Sequence, residues 1–118
     1  MPKGDTVIVF DCGATNIRVM AINSNGKILA AESLPNNTQP DPIFPSYRIW
    51  DVNEIWDKMC LASQKVVNQI KIDRIVGVTV TTFGVDGTLF DKSGKILYPV
   101  ISWQCERTNS IIDSLDKY

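Results

Sequence analysis

The sequence predicts an α/β fold on a mixed sheet, running strand, strand, strand, helix, strand, then a hairpin and a last helix. Three observations carry that prediction. Short apolar runs of strand length open the chain one after another, a middle stretch repeats its apolar residues at helical spacing, and another apolar run follows that stretch. Tight turns between the opening runs make those strands antiparallel, whereas a helix between two strands acts as a crossover and makes them parallel. The sheet is therefore mixed.

Residues 5–12, 17–23 and 27–33 read as the first three strands, with Asn23-Ser24-Asn25-Gly26 as a hairpin turn between the latter two. Val7 and Val9 on one face and Ile8 and Phe10 on the other mark a central strand covered on both sides. Pro35, Pro40, Pro42 and Pro45 break regular structure up to Trp50, so Tyr47, Arg48 and Trp50 are read as part of an extended surface connection. Asp51 and Glu54 resemble a capping box, and Ile55, Met59, Ala62, Val66 and Ile70 form a helical stripe to about Lys71. Lys58 and Lys65 fall on its solvated face. Residues 73–82 form the fourth strand, parallel to the first, which puts both strand ends at one edge of the sheet and has Asp11 and Asp86 face a common crevice. A turn at Lys92-Ser93-Gly94 makes the hairpin, and Thr108 caps a final helix through Asn109, Ile111, Ile112 and Leu115.

Composition excludes several function classes. With 118 residues, residues 1–118 are one domain or part of one, and 44% hydrophobic content supports a real core. Twelve basic and thirteen acidic residues, with a net charge of -1 and no block of like charge, give no footprint for nucleic acid or an anionic membrane. Cys12, Cys60 and Cys105 are odd in number and far apart, which argues against a disulfide framework or a thiolate metal site. The expected compartment is reducing and cytoplasmic, because the start at Met1-Pro2-Lys3-Gly4-Asp5 leads into an apolar run too short for a signal peptide or a membrane span. Without any histidine, a local Ser/His/Asp triad, a His base and a His-ligated metal are all excluded.

The chemistry concentrates at two strand ends. After the first apolar strand comes Asp11-Cys12-Gly13-Ala14-Thr15-Asn16-Ile17-Arg18. A carboxylate there can orient the hydration shell of a Mg²⁺ ion, Gly13 and Ala14 let backbone N–H groups approach phosphate oxygens, and the Thr15 hydroxyl adds a polar contact. Asp and Gly also make ordinary tight turns for reasons unrelated to ligands. The second strand end, Thr81-Thr82-Phe83-Gly84-Val85-Asp86-Gly87, carries Gly and Asp as well, and Trp103-Gln104-Cys105-Glu106-Arg107-Thr108 follows the hairpin.

Together these three segments resemble the amino-terminal domain of the FGGY carbohydrate kinases, relatives of hexokinase and actin that phosphorylate sugars and polyols with ATP. The resemblance spans nearly the whole chain. It implies a ribonuclease H-like fold of the actin/hexokinase type, here incomplete, with ATP and Mg²⁺ as cofactors and a sugar as partner. In the family the first loop binds ATP phosphates, which implies that role for Asp11, Gly13, Ala14, Thr15, Asn16, Ile17 and Arg18, with Asn16 and Ile17 contributing backbone at most and Asp11 reaching the metal through water. The Phe-Gly-Val-Asp run looks like the sugar-contacting strand end of the branches that act on L-fuculose and L-rhamnulose, and implies Gly84 and Asp86 as sugar contacts beside Trp103 and Arg107. Most members carry Trp-x-Asp-x-Arg after the hairpin, and this chain has Cys105 at the Asp position. A thiol is no strong acceptor for paired hydroxyls, which weakens glycerol or xylulose as acceptor and suits a deoxyhexulose with a methyl end.

The resemblance also implies a second lobe with the adenosine pocket and a catalytic Asp, neither of which occurs in these residues. The chain is then an amino-terminal fragment, inactive alone, with an apolar surface that favours homo-oligomers. From other classes, a sugar-sensing regulator would need a DNA-binding element and a basic surface that this chain lacks; an ATPase-type binding module or a plain α/β module remains open.

Overall fold

In chain order the elements are β1 (Thr6–Cys12), β2 (Asn16–Asn23), β3 (Ile28–Pro35), β4 (Gln39–Pro40), β5 (Arg48–Trp50), α1 (Val52–Val67), a 3-10 turn (Ile72–Arg74), β6 (Ile75–Thr82), β7 (Val100–Ile101), a second 3-10 turn (Glu106–Thr108) and α2 (Asn109–Ile112). The computed structural model describes residues 4–115. Residues 1–3 and 116–118 lie outside the described residues, and so does whatever part of the expected last helix falls on 116–118. The chain divides into two compact units, Met1–Asn37 with Val52–Gly84, and Thr38–Asp51 with Val85–Tyr118.

The first unit is the mixed sheet expected, in the order β3-β2-β1-β6, with β1 antiparallel to β2 and parallel to β6. The Asn-Gly turn between β2 and β3 is built by Asn23, whose Oδ1 accepts the backbone N–H groups of Asn25 and Lys27, both at 3.0 Å. Gly26 takes φ +76°, a conformation that costs glycine little. The amphipathic face of α1 lies on β2 and β3 and closes a core of Ile8, Val19, Ala21, Ala30, Ala62 and Val66. Pairing places Val78 beside Ile8 and Val80 beside Phe10 on the same face of the sheet. Both valines nevertheless remain more than half exposed, because the helix is centred away from β6. On the opposite face Val7 and Val9 are half-buried, as is Phe10 on the helix side, so the double coverage expected of β1 is only partial among the described residues.

The second unit has little regular structure. A small antiparallel sheet runs β4-β5-β7. The proline-rich stretch therefore holds two short strands where none was expected. Pro40 is tolerated because β4 is the edge of that sheet, where a missing N–H removes no ladder bond. The expected hairpin is reduced to single bridges, Phe90 with Ile96 and Gly87 with Ile101. Its turn is held instead by Asp91, whose Oδ1 accepts the N–H groups of Ser93 at 2.8 Å and Lys95 at 3.0 Å.

Several boundaries moved for local reasons. The helix expected to reach Lys71 ends at Val67 and frays into turns through Ile70, and the strand expected from residue 73 begins after the 3-10 turn. Thr108 makes no side-chain cap: its backbone is still helical, at φ -96° and ψ -7°, whereas an N-cap hydroxyl works from an extended residue. Lys58 is not free in solvent but pairs with Glu54 one turn earlier. Cys12, Cys60 and Cys105 are all free thiols. Among the described residues no helix is long and apolar enough to cross a membrane.

Candidate functional site

The loop between β1 and β2 is a braced turn. Gly13 donates its N–H to the Asn16 carbonyl at 2.9 Å, and a Cβ at Gly13 would stand 3.0 Å from that oxygen, so the close approach requires glycine. Asn36, buried just beyond β3, holds the loop from behind. Its side-chain amide donates to the Gly13 carbonyl at 2.9 Å, and its backbone N–H donates to the Thr15 carbonyl at 2.8 Å. With these carbonyls engaged, the N–H groups of Ala14 and Thr15 have no acceptor among the described residues, and Thr15 is exposed. Successive unpaired N–H groups on a rigid turn, next to a hydroxyl, suit an anion such as a phosphate.

The flanking side chains are placed by strand register. Asp11 lies opposite Arg18 on β2 and Thr81 on β6, with its carboxylate 4.0 Å from the Arg18 guanidinium and both side chains well exposed. A metal held through water fits an exposed carboxylate of this kind, and among the described residues no ready-made cluster of three metal ligands exists. Ile17 is fully enclosed, which leaves only its backbone for a ligand. Burial pushes the Cys12 thiol up, partly offset by a hydrogen bond with Thr82 and reinforced by the charge of Asp11.

The ends of β1 and β6 are level, because Asp11 aligns with Thr81 and Cys12 with Thr82. Gly84 follows at the end of the first unit, exposed, and a Cβ there would meet nothing within 4 Å. Asp86 belongs to the second unit. Its carboxylate ties two tryptophans: Oδ2 accepts the indole N–H of Trp50, and Oδ1 accepts the backbone N–H of Trp103 at 2.7 Å. Trp50 is 1% exposed, whereas the Trp103 side chain is half in solvent.

Arg107 is the hub of a second polar cluster in that unit. Its Nε donates to the Cys105 sulfur at 3.2 Å, and Nη2 donates to Oδ2 of the enclosed Asp41 at 3.4 Å. The guanidinium lies 4.4 Å from the Tyr47 ring centre and 5.6 Å from that of Tyr98, within cation–π range. Asp41 also accepts the Tyr98 hydroxyl and the N–H groups of Ile43 at 2.8 Å and Phe44 at 3.0 Å. The Tyr98 hydroxyl, above all, holds the Asp41 carboxyl below its usual range despite burial, and the same bond raises Tyr98. For Cys105, burial pushes the thiol up, yet the Arg107 guanidinium and the Arg48 backbone N–H outweigh it and leave the thiol lowered. Beside Arg107 opens a mainly apolar cleft of about 560 Å³, walled by Leu89, Tyr98, Pro99 and Ile101.

The structure thus brings Asp86 and Trp103 into direct contact, while Arg107 is engaged by Asp41, Cys105 and two tyrosines. Sequence reasoning missed Asn36, Asp41, Tyr47, Trp50 and Tyr98. No local pattern marks these residues, because each is held by a partner far along the chain.

Comparison with known proteins places the chain. The profile of the FGGY family of carbohydrate kinases, N-terminal domain, matches residues 6–118. The L-fuculokinase of Haemophilus influenzae is 47% identical over 113 residues, covering 92% of this chain and 24% of that protein. The L-fuculokinase of Escherichia coli is 38% identical over 98% of this chain and 24% of its own length. The crystal structure of a gluconate kinase from Lactobacillus acidophilus superposes with a TM-score of 0.79 at 18% identity, covering 96% of this chain and 23% of that one, which speaks to the fold. The chain spans about a quarter of the length of these relatives. It belongs to the FGGY family of carbohydrate kinases, and its fold is that of the actin/hexokinase-like sugar kinases, as a partial domain.

Proposed function

Starting from that family membership, we propose that the chain is the amino-terminal part of a cytoplasmic kinase that transfers the γ-phosphoryl group of ATP to L-fuculose, giving L-fuculose 1-phosphate. The observation that carries the choice of sugar is the likeness to L-fuculokinases along nearly all of the chain. The Phe83-Gly84-Val85-Asp86 run agrees with it.

Magnesium ATP, when bound, supplies the phosphoryl group and neutralises charge on it. The chain's own residues bind and orient. Ala14 and Thr15 direct backbone N–H groups, and Thr15 a hydroxyl, toward phosphate oxygens; Gly13 gives the close approach, and Asn16, Ile17 and Arg18 continue the strand that fixes the loop. Asp11 would hold the metal through water. Asp86 accepts hydroxyls of the sugar, Gly84 leaves room for it, and Trp103 offers an aromatic face. Arg107 shapes this region through Asp41 and Cys105. The general base that takes the sugar hydroxyl proton is assigned beyond residue 118, so residues 1–118 alone are expected to be inactive.

The test is a coupled ADP-release assay on the full-length enzyme with L-fuculose, L-rhamnulose, xylulose and glycerol. A preference for L-fuculose is expected; a preference for L-rhamnulose would move the assignment to that branch of the family. Sugar-dependent turnover by residues 1–118 alone would contradict the fragment reading.

A further inference from the structure

We propose that Trp50 is a positioning residue for sugar recognition, acting through Asp86. The inference rests on the kinase reading above and names a residue that neither the family motifs nor the sequence pattern assigns. Trp50 ends β5, paired with Val100 of β7, and its side chain is sealed from solvent. An indole has one N–H donor and no acceptor, so the direction of that donor is set by how the ring is packed. It points at Asp86 Oδ2.

A carboxylate has acceptor capacity for about four hydrogen bonds. Among the described residues, Asp86 spends one on each oxygen: Oδ2 on Trp50 and Oδ1 on the backbone of Trp103. Each oxygen therefore keeps capacity for a further donor, while rotation of the carboxylate is blocked from both sides. Two neighbouring sugar hydroxyls present two donors at a fixed separation, and a carboxylate already oriented accepts them without first losing rotational freedom. Because Trp50 is enclosed, it does not compete with the sugar or touch it. The same carboxylate anchors the Trp103 backbone, so the acceptor and the exposed indole of Trp103 are set by one support.

The experiment uses the full-length kinase and compares Trp50→Phe, Asp86→Asn and the double variant. Loss of the indole N–H is expected to raise KM for L-fuculose about tenfold, in keeping with one hydrogen bond to a charged group, while KM for ATP stays within about twofold. Preference for L-fuculose over an analogue lacking one ring hydroxyl should shrink in Trp50→Phe, and the double variant should be no worse than Asp86→Asn alone. A merely structural role would not produce that pattern. Should Trp50→Phe fail to fold, benzothienylalanine at position 50 keeps the ring shape and replaces only the N–H, and the same shift is expected. Additive losses in the double variant, equal effects on both substrates, or an unchanged KM with the sulfur analogue would overturn the proposal. Absence of any sugar phosphorylation by the unmodified enzyme would overturn the kinase reading and this inference with it, a result visible before any variant is made.

Discussion

In the first unit the largest side chains sealed from solvent are Ile17, Val19, Val66 and Thr6; in the second they are Trp50, Asp41 and Ser102. The difference follows from what each stretch of chain can bury. Residues 6–35 supply three long strands and residues 52–67 a helix, so apolar faces meet and the core is hydrocarbon. The second unit has strands of only two or three residues. It cannot enclose much apolar surface, and Asp41, Tyr98, Arg107 and Cys105 knit it through charge-assisted hydrogen bonds instead. A hydrocarbon core tolerates small shifts, whereas a polar cluster fails when one member is removed and its partners stay buried.

The largest expected effect tests the first half of that comparison. Ile8→Ala removes a side chain from the centre of the sheet-and-helix core and should cost about 3 kcal/mol, read by urea unfolding followed by far-UV circular dichroism. A loss below about 1 kcal/mol would mean that the core is not where the stability of the first unit resides. Next comes the second half. Arg107→Met should cost about 2 kcal/mol by leaving Asp41 and Cys105 short of a donor, and Arg107→Lys should recover little of it, since an ammonium lacks the planar fork that reaches both partners. The measurement is urea unfolding by tryptophan emission in a Trp56→Phe background, so that Trp50 and Trp103 of the second unit report. Full rescue by lysine would show that charge alone, not the two-pronged geometry, holds the cluster.

How much of each unit was legible beforehand differs in the same way. The Asn23–Gly26 turn, the opening strands and the helix are written in local patterns, with periods of two or of three to four residues, and they came out where those patterns put them to within a few residues. The Asp11–Arg18 segment between β1 and β2 is local as well. The bracing of that loop is not: Asn36 acts across 23 positions. Trp50 meets Asp86 across 36 positions, and Asp41 meets Tyr98 across 57 and Arg107 across 66. Pairings at such separations between single polar side chains leave no periodicity, and prolines flanking Asp41 and Tyr47 made the stretch read as loop.

A smaller effect concerns surface that the hydrocarbon core leaves uncovered. β6 carries no charge and no proline, pairs among the described residues with β1 along one edge only, and exposes Val76, Val78 and Val80. An unguarded strand of this kind invites pairing with a second copy. Residues 1–118 alone should therefore self-associate, and a Val78→Lys, Val80→Lys double variant should weaken that association about tenfold, the equivalent of about 1.4 kcal/mol, by sedimentation equilibrium. A strictly monomeric unmodified chain would show that the strand is protected by something other than charge.

The smallest effect is on the pH dependence of the second unit, and it separates a polar cluster from a hydrocarbon one because only the former titrates. The Tyr98 hydroxyl holds the Asp41 carboxyl below its ordinary value of about 3.9, and Asp41 in turn holds the Tyr98 hydroxyl above its ordinary value of about 10. For the carboxylate, the unfolded chain binds its proton first as pH falls, so the stability it contributes is complete above about pH 4 and is lost as pH drops through the lower native value. For the phenol the sign reverses: the native state keeps its proton longer, so stability is complete below about pH 10 and lost as pH rises through the higher native value. One hydrogen bond therefore bounds the second unit on both sides. Tyr98→Phe should flatten the acid and alkaline limbs of its stability profile together, and Asp41→Asn should do the same through loss of the shared carboxylate. Tryptophan emission against pH in the Trp56→Phe background reads both limbs. Profiles parallel to the unmodified protein in either variant would mean that the Tyr98–Asp41 bond is no source of the pH dependence, and the contrast between the two units would then rest on Arg107 alone.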